Sequence, residues 1–408
     1  MAEVPVVQIL DKKNYFKQAL VSLPDAVPLS PLGSNSLRIR TVVLSLTINN
    51  FTYARLGDYA HWWDVHPIPP STPAPYNDAS IYGRINCWGY AIVLESTFPD
   101  VPAGSYLFGY LPIGTLPQDI EVKAANVPGQ VIVTNAFRQH LMSIYNRYTV
   151  HPPTLSADIE SKSDAIAFDS LIRIMHITAY LMADFVFSPD PKASTQLTPD
   201  LADLTGATVI NFAPGSKVGL AFAHRLRTGG RTGGKPALLL GATSAASPDF
   251  VKDTNLYDAV ALTSENPLAV LAALQTDTNS RVLICDFGGR AGVATKWAAA
   301  IKSAYANCQL VRVGLEVVDP SAAGPPPAYP EGLQVIQVSA DGMQNDAIKK
   351  VGEREYFAGL DAAWEDLRKE GYKGFKVSWG EGMVDVRDGW DKLARGEARS
   401  DEGLVFKV

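Results

Sequence analysis

The segment that most restricts the fold of this chain runs from Ala207 to Arg227. There a short apolar stretch, Ala-Thr-Val-Ile-Asn-Phe, passes through Ala-Pro-Gly215-Ser-Lys-Val-Gly219 directly into a helical pattern. An unbroken apolar run bounded by turn residues suits a strand buried on both faces, which needs helices packed over it. Two further runs, 237–240 and 281–287, follow at spacings that leave room for a crossover helix. Short buried strands alternating with helices make a parallel, doubly wound sheet, so the expected fold class is α/β.

Upstream the pattern differs. Residues 40–48, 88–96, 105–110 and 130–134 are rich in β-branched and aromatic residues and are separated by Pro and Gly, which reads as a β-rich domain. Segment 64–77 carries Pro67, Pro69, Pro70, Pro73 and Pro75 and is expected to be a rigid surface loop, since proline interrupts both helix and central strand. From Ala165 onward Asp169, Arg173, His176, Tyr180 and Asp184 recur at helical spacing, marking a long helix. Such charges read as a solvent stripe or a ladder of ion pairs rather than an acid–base set, and they also argue against a membrane span. Residues 229–234, Gly-Gly-Arg-Thr-Gly-Gly, read as a turn-rich connector. The Pro-rich stretch 319–330 reads as a linker. Beyond it lies a densely charged tail, mostly solvated helix, ending in an apolar strand, 403–408, that docks back onto a sheet.

The 408 residues allow two or three domains at roughly 150 each. The expected divisions are 1–165, β-rich; 166–318, doubly wound; and 319–408, a return segment completing the β-rich part. Lys plus Arg number 36 against 42 Asp plus Glu, a net charge of -6, which offers no basic excess to a phosphate backbone and speaks against nucleic acid as partner. Cys87, Cys285 and Cys308 form neither a disulfide framework nor a CxxC spacing, and no targeting run opens the chain, so a cytoplasmic location is expected.

A buried strand that runs into glycines and then a helix directs helix-start N–H groups and the positive end of the dipole beyond the strand. A dinucleotide pyrophosphate is the expected occupant. Gly215 would admit it, Ser216 and Lys217 would add a hydroxyl and a cation, Val218 completes the loop, and Gly219 lets helix approach strand. A plain strand-to-helix turn is the competing reading. The second strand leads into Thr243-Ser244 where a carboxylate would grip an NAD ribose, and this favours NADP, although Thr-Ser after a strand also serves as an N-cap. Gly288 and Gly289, after the third strand, would border the nicotinamide. Cys285, inside that strand, reads as a small hydrophobe rather than a nucleophile. His61 and His66, near Asp58 and Asp64, read as solvated surface before a metal pair.

Three stretches carry a resemblance. Asn49-Asn50-Phe-Thr-Tyr53-Ala-Arg-Leu-Gly57, Thr178-Ala179-Tyr180 and Ala213 to Gly219 resemble segments of the medium-chain dehydrogenase/reductase superfamily, in its zinc-free, quinone and enoyl reductase-like part. More closely, these with Trp63-Asp64, Trp88-Gly89-Tyr90-Ala91, Phe108-Gly109-Tyr110-Leu-Pro112 and Leu256-Tyr257-Asp258 resemble a fungal and bacterial branch known only as a domain of unknown function. The resemblance implies a GroES-like β-rich domain beside a Rossmann-like domain, NADPH as cofactor with Thr178 near it, and a possible homodimer. The zinc enzymes' Gly-His-Glu motif is absent from the comparable Asn86-Cys87-Trp88-Gly89, so no metal is expected. Tyr53 is the candidate proton or hydrogen-bond donor and Asn49 or Asn50 the candidate polariser of a carbonyl; a Tyr53 bound into the β-domain core is the alternative. Tyr59, Trp62, Trp63 and Tyr110 are candidates to hold a hydrophobic, oxygenated substrate of the secondary-metabolite kind, with core packing as their other reading. Two activities stand: NADPH-dependent reduction of an activated C=C or C=O, or a redox-silent isomerase, lyase or cyclase on the same scaffold. A nucleotide sensor without turnover is a third.

Overall fold

The structure, a computed structural model, describes residues 4–26, 29–227, 234–313 and 328–408. Of the 229–234 connector only Gly234, and of the 319–330 linker only 328–330, lie among the described residues. In chain order the strands are β1 (Val6–Asp11), β2 (Gln18–Ser22), β3 (Ser36–Leu46), β4 (Tyr82–Gly83), β5 (Asn86–Ser96), β6 (Tyr106–Pro112), β7 (Gln118–Ala124), β8 (Gln130–Val133) and β9 (Arg147–His151). These are followed by β10 (Thr208–Phe212), β11 (Leu238–Thr243), β12 (Ala259–Leu262), β13 (Val282–Asp286), β14 (Cys308–Arg312), β15 (Gln334–Gln337), β16 (Lys376–Glu381) and β17 (Glu402–Lys407).

The second group holds a parallel six-stranded sheet in the order β12-β11-β10-β13-β14-β15. The chain therefore winds outward from β10 in one direction, returns, and winds outward from β13 in the other, leaving a crevice at the carboxyl ends where the order reverses. The sequence signalled three of these strands. β12 and β15 are short and only partly buried, so they lack the long apolar run that marks β10 and β13. The helices that cover the sheet include Lys217–Arg227, two residues longer at its start than its apolar pattern indicates.

Strands of the first group, joined by β16 and β17, form an eight-stranded sheet, β16-β17-β3-β5-β6-β9-β8-β7, curled so that β3 also pairs with β7. Two glycines make this possible. A Cβ at Gly89 would lie 2.1 Å from the Val43 carbonyl oxygen, and one at Gly109 would overlap the Tyr148 ring at 1.3 Å. Separately, β1 pairs with β2 and β4 in a small antiparallel sheet. The Pro-rich segment departs from its expected surface course at its start, where Val65 and His66 are buried. β17 lies antiparallel to β3, with Phe406 opposite Leu44, and parallel to β16. The end of the chain thus closes a sheet begun by its first fifty residues.

The long helix spans Asp164–Val186 and is long and apolar enough to cross a membrane by length and composition, yet 67% of its apolar window is packed inside the protein. Its polar stripe does not face solvent. Arg225 clamps Asp184 through Nε and Nη2 at 2.7 and 2.8 Å, and Arg173 reaches Asp361 at 3.1 Å. Asp169, 4% exposed, accepts from Tyr90 Oη on β5 at 2.5 Å and from Trp364 Nε1 at 2.8 Å. Trp364 belongs to the Glu353–Glu370 helix of the tail. One carboxylate therefore joins the β-rich sheet, the long helix and the return segment.

Removing the centre of such a network leaves buried donors unpaired. Asp169→Ala is expected to lower stability by about 3–5 kcal/mol, read as a fall in the denaturant midpoint. A loss below about 1 kcal/mol would show that the three parts are joined by apolar packing instead.

Candidate functional site

The β10 strand ends at Phe212, and the backbone then turns sharply through Ala213, whose φ of 52° is one that residues with a Cβ rarely adopt. Ser216 Oγ accepts from the Gly219 N–H at 3.1 Å and caps the helix. A Cβ at Gly219 would stand 2.8 Å from the Ala213 carbonyl oxygen, so glycine is needed there for helix and turn to meet. Tyr257 fixes the loop from below, donating between the Pro214 and Gly219 carbonyl oxygens at 3.0 and 3.2 Å. These are the parts of a phosphate-binding turn.

What faces that turn is the chain itself. A Cβ at Gly215 would lie 3.3 Å from Ser400 Cβ and Oγ and 3.4 Å from Phe250. Lys217 Nζ donates to the Glu402 carbonyl oxygen at 3.1 Å and lies 5.3 Å from the centre of the Phe375 ring. The Arg399–Glu402 corner thus stands where the missing side chain of the loop would admit a pyrophosphate, and in this arrangement the residues do not fit one. Of the residues expected to offer a hydroxyl and a cation to phosphate, Ser216 here caps the helix and Lys217 is engaged with the Glu402 carbonyl oxygen. Val218 is half-buried beside them.

The ribose end is better suited. Thr243, buried, shares a hydrogen bond with Ser247 at 2.9 Å, Ser244 and Lys252 are exposed, and β11 runs out into Thr243-Ser244 rather than into an acidic residue. At the end of β13 the Gly288 and Gly289 N–H groups both donate to Asp286 Oδ1, at 3.0 and 2.7 Å. They are spent on a local turn rather than left open to a ligand. Cys285 is fully buried and its thiol is pushed up by that burial.

A second locality lies where β3, β5 and the long helix meet. Ser45, Thr47, Asn50, Tyr53, Trp88, Ser170, Leu171, Ile174 and Met175 line a narrow recess that, in this arrangement, has no room for a water-sized molecule. Tyr53 is on the Ile48–Arg55 helix, whose start is closed reciprocally by Thr47 and Asn50. Trp88 Nε1 donates to Tyr53 Oη at 2.9 Å. Desolvation raises the Tyr53 pKa, opposed by hydrogen bonds from Trp88, Tyr145 and Asn49. Burial outweighs these donors, so Tyr53 stays protonated, and because its oxygen is occupied as an acceptor its own hydrogen is the one it has to give.

Asn50 is not available to a substrate carbonyl: its Oδ1 accepts from Thr47 N at 2.7 Å and its Nδ2 donates to the Asn86 carbonyl oxygen at 2.8 Å. Asn49, half-buried, is the one of the pair at Tyr53. Thr178 lies about one turn beyond Met175 on the long helix, half-buried. Of the aromatic candidates, Tyr59 is 88% exposed and lines nothing. Trp63 is buried flat between Gly57 and Gly83, where added Cβ atoms would approach it at 2.2 and 2.6 Å. Trp62 and Tyr110 are buried and pack on Tyr53, with ring centres 4.8 and 5.1 Å away. Tyr145, unmarked in the sequence, completes this group at 4.6 Å from Tyr110; it lies in a segment with no strand or helix pattern to place it. His61 pairs with Asp64 at 2.9 Å, whereas His66, expected at the surface, is buried against Gln118. His176 is buried and stands 5.4 Å from Trp364, ring centre to ring centre.

The family whose sequence pattern matches, over residues 44–399, is described as "Protein of unknown function (DUF2855)". No curated protein matches the chain. Among solved structures, a mutant enoyl thioester reductase from Candida tropicalis is similar over 100% of both chains, at 11% identity and a TM-score of 0.57. A putative NADPH:quinone reductase from Bacillus thuringiensis is similar over 100% of both, at 15% and 0.56. CurA from Vibrio vulnificus, in complex with NADPH, is similar over 96% of this chain and 94% of its own, at 11% and 0.55. The fold is that of the medium-chain dehydrogenases and reductases, a GroES-like β-rich part with a Rossmann-like part.

Burial pushes the Lys217 ammonium down to about 8, with Glu402 and Asp401 pulling the other way. Between about pH 8 and the free-lysine value near 10.4 the unfolded chain holds more protons than the folded one, so stability rises with pH across that window. Lys217→Met should flatten this rise in thermal melts recorded at successive pH values. An unchanged slope would mean that the ammonium is hydrated and not enclosed by the 399–402 corner.

Proposed function

The chain belongs to the DUF2855 family, and on that premise we propose that it is an NADPH-dependent, zinc-independent oxidoreductase that reduces an activated C=C or C=O in a hydrophobic, oxygenated small molecule. The observation that carries this is the reversal of strand order at β10 and β13, together with a β11 that ends in Thr243 and Ser244 instead of a carboxylate. A nucleotide 2′-phosphate would be repelled by a carboxylate there and is suited by the exposed Ser244 hydroxyl and the Lys252 ammonium. The substrate side is the recess beside Tyr53, which has to widen to admit a ligand; the Tyr53 hydroxyl would then give its proton to a developing oxyanion or carbanion while Trp88, Tyr145 and Asn49 hold the oxygen in place. Apolar Leu171, Ile174 and Met175 keep water from the opposite wall.

Binding of the nucleotide requires the Arg399–Glu402 corner to draw back from Gly215. That same corner favours a second reading, a redox-silent isomerase, lyase or cyclase in which Tyr53 and the aromatic walls do the chemistry and the glycine loop is structural.

Titration with NADPH, followed by its fluorescence, separates the two. Saturable binding is expected, tighter in Ser400→Gly because less must be displaced from the loop, and Tyr53→Phe should lower turnover about 10²-fold or more with little change in cofactor affinity. If neither wild type nor Ser400→Gly binds NADPH at millimolar concentration, the reductase reading is lost and the redox-silent one stands.

A further inference from the structure

Two candidate sites in this molecule are shut, and the same few residues shut both. At the glycine loop a Cβ on Gly215 would meet the Ser400 side chain at 3.3 Å, and Lys217 Nζ donates to the Glu402 carbonyl oxygen at 3.1 Å. The recess beside Tyr53 has no room for a water-sized molecule, and one of its walls is Leu171. That side chain is pressed against Gly403, where an added Cβ would lie 2.4 Å from Leu171 Cδ1. Gly403 follows Glu402 directly, and adjacent Cα atoms are about 3.8 Å apart. A backbone that bears on Lys217 with one residue and on Leu171 with the next loosens one contact when it leaves the other.

The corner is joined to the tail so that it moves as a piece. The Glu402 carboxylate accepts from Lys392 Nζ at 2.7 Å and from Ser378 Oγ at 3.0 Å, Arg399 holds Asp401 at 2.8 Å, and the Lys376 N–H donates to the Asp401 carbonyl oxygen at 2.8 Å. Glu402 and Gly403 stand opposite Lys376 and Val377 of β16, whereas the pairing of β17 with β3 begins at Leu404. The Phe375 ring goes with them, 2.9 Å from the same Cβ position on Gly403 and centred 5.3 Å from Lys217 Nζ. The pivot therefore falls at Gly403, between a strand held in the eight-stranded sheet and a corner resting on the glycine loop. Lys217 supplies a bond that crosses to the loop. Its acceptor is a neutral carbonyl, and an anionic phosphate oxygen is a stronger partner for an ammonium.

We propose that residues 399–403 act as a strap that closes the glycine loop and the Tyr53 recess together, so that whatever displaces the strap from Gly215 also frees Leu171 and opens the recess. The coupling is reciprocal: a ligand that opens the recess eases entry to the loop by the same factor. The joint closure stands on contacts within the chain, and only the identity of the displacing ligand as a dinucleotide rests on the reading above.

Ser170 lines the recess and is 1% exposed, so the opening is read as the rate at which the thiol of Ser170→Cys is modified by methyl methanethiosulfonate, located by peptide mass. The lock is the Gly215→Cys/Ser400→Cys pair, whose Cβ separation of 3.3 Å is close to the roughly 3.5–4.5 Å of a disulfide. Oxidised, it is expected to slow modification at 170 about fivefold or more. Lys217→Met, which cuts the crossing bond, is expected to speed it, and keeps the question open to measurement should the lock fail to form. Cys87, Cys285 and Cys308 are buried and report general unfolding. An equal rate at 170 with and without the lock, no response to Lys217→Met, or a change matched at those three cysteines overturns the proposal. Inorganic pyrophosphate, which carries no nicotinamide to cover the recess, should speed modification of the unlocked chain about fivefold. If the lock slows the reaction and pyrophosphate leaves it unchanged, the strap stands and the phosphate seat of the nucleotide reading is what fails.

Discussion

A single buried carboxylate sets the terms for the rest of the molecule. Asp169 sits inside the long helix with one oxygen on Tyr90 and the other on Trp364, and Arg368 stands 3.9 Å away. A carboxylate in that environment is tolerable only when both oxygens are satisfied, so β5, the helix and the tail must be in place together. The recess beside Tyr53 is a consequence. Ser170, Leu171 and Ile174, the residues that face Tyr53 and Trp88, follow Asp169 on the same helix, and their position is fixed by the network that fixes Asp169.

The return of the chain end has a second effect. β17 completes the β-rich sheet by pairing with β3, and the corner that leads into it, Arg399–Glu402, is carried onto the glycine loop of the other half. Its charges are settled locally: Arg399 pairs with Asp401 at 2.8 Å, and Lys392 with Glu402 at 2.7 Å. What the corner presents to Gly215 is therefore the Ser400 side chain, and to Lys217 a carbonyl oxygen. The loop has the turn, cap and close-packed glycine of a phosphate site, while its approach is controlled by a segment nearly two hundred residues away in sequence.

Around Tyr53 the sequence suggested an aromatic substrate wall, and the structure divides that set. Trp62, Trp88, Tyr110 and Tyr145 enclose the tyrosine, whereas Tyr59 stands in solvent and Trp63 is a packing residue. Ring contacts at such separations contribute about 0.5–1.5 kcal/mol each beyond simple burial, enough to hold Tyr53 in one position. Among their polar atoms Trp88 Nε1 is paired with Tyr53 Oη, whereas the Tyr110 hydroxyl and Trp62 Nε1 are buried without a partner.

The sequence by itself determined the class of fold. Long apolar runs such as β10 and β13 have only one stable environment, the middle of a covered parallel sheet, and the glycines at 215 and 219 announce a tight strand-to-helix turn. It also placed the final strand correctly, because an apolar run at the end of a charged tail has to dock somewhere. Short strands such as β12 and β15 were not legible, since their stability comes from neighbours and not from their own pattern. Tertiary structure alone decided the state of the site. That Ser400 faces Gly215, that Asn50 is consumed in capping a helix, and that His66 is buried and Tyr59 is not are all matters of which distant segments share a volume. Local sequence carries propensity and periodicity, but the pairing of a buried polar group is settled only by what the fold brings within hydrogen-bond reach.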